Sequence, residues 1–142
     1  MKKRISLMIA VLIFCFSFSI PYMETKAAED TKVQQTEIQP KGQYFQQGVS
    51  SIAAAGKGKI YVGGQTIAQK VVGTVKVAVI VEQKRGNDWY HYYSWTSERH
   101  NVYEVESAKT LTVPRGYWYR VRCVHSANTD LTASNTSALY VK

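Results

Sequence analysis

Cysteine is scarce in this chain, and its scarcity excludes a disulfide scaffold. Only Cys15 and Cys123 occur in 142 residues, and Cys15 lies in an apolar N-terminal run that is predicted to be removed. Cys123 would then be the only thiol, so no internal disulfide can form. It alternates with Val121 and His125, which indicates a buried, unreactive thiol. The fold must therefore be stabilised by a packed core.

The sequence also lacks the residue spacings of common metal and catalytic sites. His91, His100 and His125 show none of the short His or Cys spacings that typify zinc sites. No Gly-x-Ser-x-Gly turn occurs, and no glycine-rich stretch precedes a predicted helix as in a phosphate-binding loop. Glu104 and Glu106 share one face of a predicted strand, but nothing marks either as a general acid. We predict no enzymatic activity, no catalytic residue, no metal site and no cofactor.

Residues 1–27 have the organisation of a secretory signal peptide. Met1–Arg4 is cationic, residues 5–20 are uncharged and mostly apolar, and a polar exit ends in Thr25-Lys26-Ala27. The apolar run of 16 residues is shorter than the ~20 residues of a membrane-spanning helix. We therefore predict cleavage near Ala28, no stable membrane span afterwards, and a secreted protein that is free or associated with the cell surface.

The charge of the processed chain favours an anionic extracellular partner over a nucleic acid. Cleavage removes four of 18 basic and one of ten acidic residues, which leaves 115 residues, enough for one domain, and a net charge of about +5. Lysine and arginine form no block of the kind that marks nucleic-acid tails. A cell-wall polysaccharide or another anionic polymer is the expected partner. The alternative is that the charge only keeps a small secreted protein soluble.

An alternation of apolar and polar residues from Val49 onward predicts a β-rich domain. Val75, Val77, Val79 and Val81 lie on one side of a strand, and turn residues recur at roughly ten-residue intervals. We predict an all-β fold over residues 49–142, a single antiparallel sandwich of about seven strands similar to immunoglobulin and fibronectin type III domains. Residues 97–101 and 127–135 are predicted to interrupt strands. Residues 28–48 are polar and predict a flexible leader.

The segment Leu111–Val121 resembles the corner between two strands of immunoglobulin and fibronectin type III sandwiches. In those folds, a tyrosine early in the second strand donates a hydrogen bond back to the preceding corner. Tyr119 matches that position, after the turn at Pro114-Arg115-Gly116. The absence of a cysteine pair excludes a true antibody-type domain.

A broader resemblance covers about residues 50–141. The pattern Gly64-x-Thr66-x-Ala68, the strand Val75–Val81, Gly86-x-x-Trp89, Trp95 and the run from Gly116 to His125 are similar to a group of small secreted proteins of Gram-positive bacteria. That group is classed as a domain of unknown function. The resemblance implies a secreted domain and carries no activity to this chain.

The strand predicted from Trp89 to Thr96 is rich in aromatic residues. Alternation assigns Trp89, His91, Tyr93 and Trp95 to one face, and Tyr90 and Tyr92 to the other. Because only one face can be core, the other exposes rings that suit stacking on sugars. Tyr90 and Tyr92 are therefore candidate ligand-binding residues. The alternative is that tyrosine simply suits a strand.

A second candidate surface lies on the strand predicted from Tyr117 to Ser126. Its odd-numbered residues are predicted to point inward, so Trp118, Arg120 and Arg122 project outward. A tryptophan beside two arginines suits an anionic or ring-bearing ligand, through cation–π contacts and charge-assisted hydrogen bonds. A self-contained surface stack of arginine on tryptophan is the alternative.

These observations favour a non-catalytic binding module of the cell envelope or extracellular space. A small secreted cationic antibacterial effector is a second hypothesis, since charge and size permit it, although no amphipathic helix supports membrane attack. A hydrolase is the weakest hypothesis, because no acid–base pair is apparent.

Overall fold

The computed structural model describes residues 33–38 and 42–142, and all regular structure in these ranges is β-strand. No helix in them is long and apolar enough to cross a membrane. The predicted signal peptide lies outside the described residues. The strands are β1 (Gln34–Ile38), β2 (Phe45–Ala54), β3 (Lys59–Arg85), β4 (Asp88–Thr112), β5 (Tyr117–Ala127), β6 (Asp130–Asn135) and β7 (Leu139–Val141).

The strands form one antiparallel system, which confirms the predicted all-β fold of about seven strands. Their order is β1-β2-β3-β5-β6, with β4 paired to β3 and β7 paired to β5. The first half of β3, up to Ala68, pairs with β2, and its second half, from Val75, pairs with β5. One layer thus consists of β1, β2 and the first half of β3, and the other consists of the second half of β3 with β5, β6 and β7. Because β3 belongs to both layers, this fold differs from two sheets that are joined only by loops.

The β3–β4 hairpin changes register where it passes between the layers. The ladder shifts between Ile67 and Val72 on β3, close to Asn101, whose φ is 54°. The predicted interruption of a strand at residues 97–101 is thus wrong, because β4 continues through it with only a local irregularity. This irregularity lets both long strands contribute to two layers.

The core lies between the inner faces of the two layers. Val75, Val77, Val79 and Val81 have no exposed surface, which confirms the predicted inward side of this strand. They pack with the buried odd-numbered residues of β5 and with side chains of β2 and the first half of β3, namely Ile52, Ile60, Val62, Val121 and Cys123. Full burial of one such aliphatic side chain contributes about 1.5–3 kcal/mol.

Gly64 lies at a close approach between the first half of β3 and β5. A Cβ atom at this position would lie 2.5 Å from Sγ of Cys123 and 2.9 Å from a methyl carbon of Val77. Because such approaches are closer than van der Waals contact, only glycine fits between β3 and β5 here.

Two segments predicted to be irregular are strands. Within the predicted leader, β1 pairs with β2 from Gln34 to Ile38, and Phe45 at the start of β2 is fully buried. Within the predicted loop 127–135, β6 pairs with β5 after a tight turn at Asn128, whose φ is 50°. Both short strands are mostly polar because they lie at the edge of the sheet, where backbone pairing rather than apolar burial holds them.

A carboxylate fixes the start of β2 against β6. Asp130 accepts hydrogen bonds from the backbone amides of Tyr44, at 2.6 Å, and Phe45, at 2.9 Å. These bonds to Phe45 and Tyr44 lower the pKa of Asp130 below its ordinary value, because they stabilise the charged carboxylate. The contact joins two strands that are distant in sequence.

Tyr119 makes the corner hydrogen bond that its position suggests. Its hydroxyl donates to the carbonyl oxygen of Pro114 at 2.6 Å and accepts from Nε2 of Gln83 at 2.9 Å. Tyr119 is fully buried and Gln83 is nearly so. The hydroxyl therefore links the turn before β5 to the inner face of β3.

We expect Tyr119→Phe to destabilise the fold by about 1–3 kcal/mol, because the buried amide of Gln83 and the carbonyl of Pro114 lose their shared partner. Urea unfolding at neutral pH measures the change. Tyr103→Phe is the matched control, since Tyr103 is exposed, and it should leave the unfolding midpoint unchanged. Equal midpoints for both variants would contradict a structural role of the corner bond.

Candidate functional site

Tryptophan and arginine side chains gather on the outer surface of the layer that contains β5. Cross-strand pairing brings Trp89 opposite Lys84, Glu82 opposite Arg120, and Trp118 opposite Tyr140. We call this surface the tryptophan–arginine face; it comprises Glu82, Lys84, Trp89, Trp118, Arg120, Arg122 and Tyr140. It forms because inward residues of β3 and β5 alternate with these outward ones.

Arg120 is held in place by two neighbours. Its Nε donates to Oε2 of Glu82 at 2.6 Å, and its guanidinium carbon lies 4.3 Å from the ring centroid of Trp89. The side chain of Arg120 is nevertheless 31% exposed. An arginine–tryptophan stack is therefore present, with Trp89 of β4 rather than the sequence neighbour Trp118 as the aromatic partner.

Arg122 is more loosely attached to the same carboxylate. Its Nε lies 3.8 Å from Oε1 of Glu82, beyond hydrogen-bond distance, and its side chain is 42% exposed. Glu82 itself is only 14% exposed, so it lies beneath the two arginines and faces both of them.

Trp118 forms an exposed aromatic pair with Tyr140 at the β7 end of the face. The ring centroids are 5.3 Å apart and the rings are inclined by 53°. Trp118 is 47% exposed and Tyr140 is 44% exposed. The structure thus places Trp118, Arg120 and Arg122 on the outer side of β5.

The two tyrosines proposed as ligand-binding residues lie outside this face, and their surroundings differ: Tyr90 is exposed as predicted, whereas Tyr92 is half-buried against the core, contrary to the prediction. A register shift opposite Val81 and Glu82 leaves Tyr92 outside the ladder, which ends the alternation along β4. Tyr92 is half-buried and packs edge-on against Tyr119, with centroids 5.7 Å apart. Tyr90 lies opposite Gln83, on the other side of the sheet from Arg120, and is exposed beside Arg85.

Glu82, Trp89 and Tyr140 belong to the site although they were not among the predicted ligand-binding residues. Alternation along β3 indicates that Glu82 points outward. However, only the pairing of β3 with β4 and β5 shows that it meets Arg120, and only β7 brings Tyr140 to Trp118.

A second group of polar side chains lies inside the core, around His125. Thr66 Oγ1 donates to the carbonyl oxygen of Lys76 at 2.8 Å, so it accepts from Nδ1–H of His125, also at 2.8 Å. Nε2 of His125 then accepts from the hydroxyl of Ser134 at 2.7 Å, and Ser134 is bonded in turn to Ser50. These bonds assign a neutral, Nδ1-protonated imidazole with both ring nitrogens satisfied.

Cys123 and His125 are buried core residues. Burial raises the pKa of the Cys123 thiol to about 11, and its Sγ lies 3.6 Å from the carbonyl oxygen of Gly63. This agrees with the predicted inert thiol. Burial also lowers the pKa of His125 to about 4, because the charged imidazolium is poorly solvated in the core.

We expect acid to weaken the fold between about pH 6.5 and pH 4 through His125. In this range the unfolded chain binds a proton that the folded chain excludes. The free energy of unfolding therefore decreases by about 3 kcal/mol as the pH is lowered from 6.5 to 4, and His125 causes no further decrease below pH 4. Urea unfolding at several pH values measures it. The stabilisation from Asp130, whose pKa is lowered, is lost only below its ordinary value of 3.8.

His125→Asn should remove the pH dependence of the unfolding free energy between pH 4 and 6.5. The control is His91→Gln, which replaces an exposed histidine bonded to Ser94 and should retain that dependence. An unchanged slope in the His125 variant would contradict this assignment.

Within the described ranges, no group of three or more His, Cys, Asp or Glu side chains is arranged to hold a metal ion. No protein-family model matches the chain, and no curated protein matches it. The chemistry of the tryptophan–arginine face therefore has to be inferred from its own residues.

Proposed function

We propose that this protein is a non-catalytic binding module of the extracellular space or cell envelope. It holds a polysaccharide or another anionic polymer on the tryptophan–arginine face. The observation that carries the proposal is the exposed Trp118–Tyr140 pair on the same surface as two partly exposed arginines, Arg120 and Arg122.

The aromatic pair supplies the affinity for a ring-bearing polymer. Large rings with polar edges stack on the apolar faces of sugars, while the indole N–H and the phenol hydroxyl bind sugar hydroxyls. Because Trp118 and Tyr140 are inclined to one another, they present an angled rather than a flat surface. An exposed aromatic patch of this kind is a common feature of interaction sites.

The local charge supplies the preference for an anion. Lys84, Arg120 and Arg122 provide three positive charges around the single negative charge of Glu82. A polymer with regularly spaced negative groups would meet this excess, and the basic composition of the whole chain would strengthen the attraction at low ionic strength.

The setting of this activity is also part of the proposal. Residues 1–27 have the charge and hydrophobicity pattern of a cleaved signal peptide, which supports export. The resemblance to small secreted proteins of Gram-positive bacteria supports a bacterial cell envelope as the location of the polymer.

We expect the protein without residues 1–27 to be retained on insoluble cell-wall glycan and Trp118→Ala to bind about tenfold more weakly, because an aromatic stack of this size contributes about 1 kcal/mol or more. A sedimentation assay with washed walls measures the bound fraction. Tyr103→Ala, which removes an exposed ring elsewhere on β4, is the control and should bind as wild type does. If all three proteins wash through equally, the proposed function is wrong.

A further inference from the structure

We propose that Arg120 and Arg122 together bind a phosphodiester group, so that the polymer recognised by this face is one in which phosphodiesters link its units. This inference rests on the proposed function and names the chemical class of its ligand. It is argued from the geometry of the two arginines, their charge balance with Glu82, and their position relative to the aromatic pair.

The two guanidinium groups face one partly buried carboxylate, that of Glu82. Glu82 contacts Nε of Arg120 at 2.6 Å and approaches Nε of Arg122 at 3.8 Å. Among the described residues, no group accepts a hydrogen bond from the Nη atoms of either arginine. The Nη donors of both side chains are therefore available to a ligand, while Nε of Arg120, unlike that of Arg122, is hydrogen-bonded to Glu82.

Arg120 is additionally positioned by stacking on Trp89, at 4.3 Å from the ring centroid. Arginine loses much side-chain entropy when it is immobilised by a ligand. A side chain already held by a carboxylate and an aromatic ring has lost part of that freedom before binding, so less of the interaction energy is spent on ordering it.

The charge balance of Arg120, Arg122 and Glu82 suits a ligand group with one negative charge. The two guanidinium groups and the carboxylate that they face leave a net charge of +1. Lys84, two residues along β3 from Glu82 and opposite Trp89, adds its charge to the face but forms no ion pair with Glu82. A phosphodiester carries one negative charge and has two unesterified oxygens, which can accept from two arginine forks at once. A phosphomonoester carries about −1.5 to −2 charges at pH 7, which exceeds what the pair neutralises.

The position of the aromatic pair relative to the arginines fits a polymer that alternates rings with anionic links. Trp118, Arg120 and Arg122 are successive outward residues of β5. Successive outward residues of a strand lie roughly 6.6 Å apart. A sugar seated on Trp118 and Tyr140 would therefore place its next linkage over Arg120 and Arg122.

Binding of soluble polymers by isothermal titration calorimetry tests the inference directly. The probes are dextran sulfate, polyglutamate and a poly(glycerol phosphate) that carries sugar substituents and so offers rings as well as phosphodiesters. All three are matched in number of charges and measured at physiological ionic strength. We expect poly(glycerol phosphate) to bind at least about tenfold more tightly than the other two, because charge-assisted bonds to two arginines require the matching geometry. Equal affinity for all three would show unspecific attraction and overturn the inference.

Variants of the two arginines supply the control for charge. Arg122→Gln should lose about tenfold in affinity for poly(glycerol phosphate) and keep its unfolding midpoint, because the Arg122 side chain makes no hydrogen bond to a described residue and the backbone pairing of this position with β3 and β6 is unaffected. Arg99→Gln makes the same change of charge at an exposed site on the opposite side of the sheet and should bind as wild type does. Equal losses in both variants would contradict a specific site.

Cell walls before and after treatment with hydrofluoric acid, which cleaves phosphodiesters, separate this inference from the proposed function. We expect wild type to bind treated walls more weakly, and Arg122→Gln to bind both preparations at that lower level. Undiminished binding of wild type to treated walls would overturn the phosphodiester but keep the glycan-binding function. Absence of binding to either preparation would remove both.

Discussion

The structure depends on the passage of one long hairpin through both layers. β3 pairs with β2 along its first half and with β5 along its second half, while β4 follows it throughout. The only cysteine among the described residues is unpaired, so the continuous strand, rather than a disulfide, connects the two layers. It also places the outward residues of β3 between those of β4 and β5, and so creates the tryptophan–arginine face.

The inner faces of the layers meet through a polar cluster as well as through valines. Thr66, His125, Ser134 and Ser50 form a continuous series of hydrogen bonds across the interior. Buried polar groups contribute little net stability, but leaving one without its partner is costly. We therefore infer that this series determines how the layers are aligned, since sliding one layer against the other would break several bonds at once.

The tryptophan–arginine face likewise combines charges that attract one another with neighbours that constrain them. Glu82 reduces the local positive charge, and its hydrogen bond also orients Arg120. The guanidinium group of Arg120 stacks on the ring of Trp89 as well. Without such neighbours, the guanidinium groups of two adjacent surface arginines would repel each other, and their side chains would remain mobile. The site is thus a property of four strands, β3, β4, β5 and β7, rather than of the one strand that carries Trp118, Arg120 and Arg122.

The amino-acid sequence by itself determined the alternation along β3 and β5, hence the buried valines and the outward direction of Trp118, Arg120 and Arg122. These properties follow from the two-residue period of a strand, which is local. The corner at Tyr119 was expected instead from the resemblance of Leu111–Val121 to immunoglobulin and fibronectin type III sandwiches. It did not reveal the polar edge strands β1 and β6, because their pairing rests on backbone groups that every residue has. Only the tertiary structure decided that Tyr92 leaves the ladder at a bulge and packs on the core, and that Arg120 meets Glu82, 38 residues away along the chain. Such contacts depend on the register between strands, and register is set by all of the paired residues together.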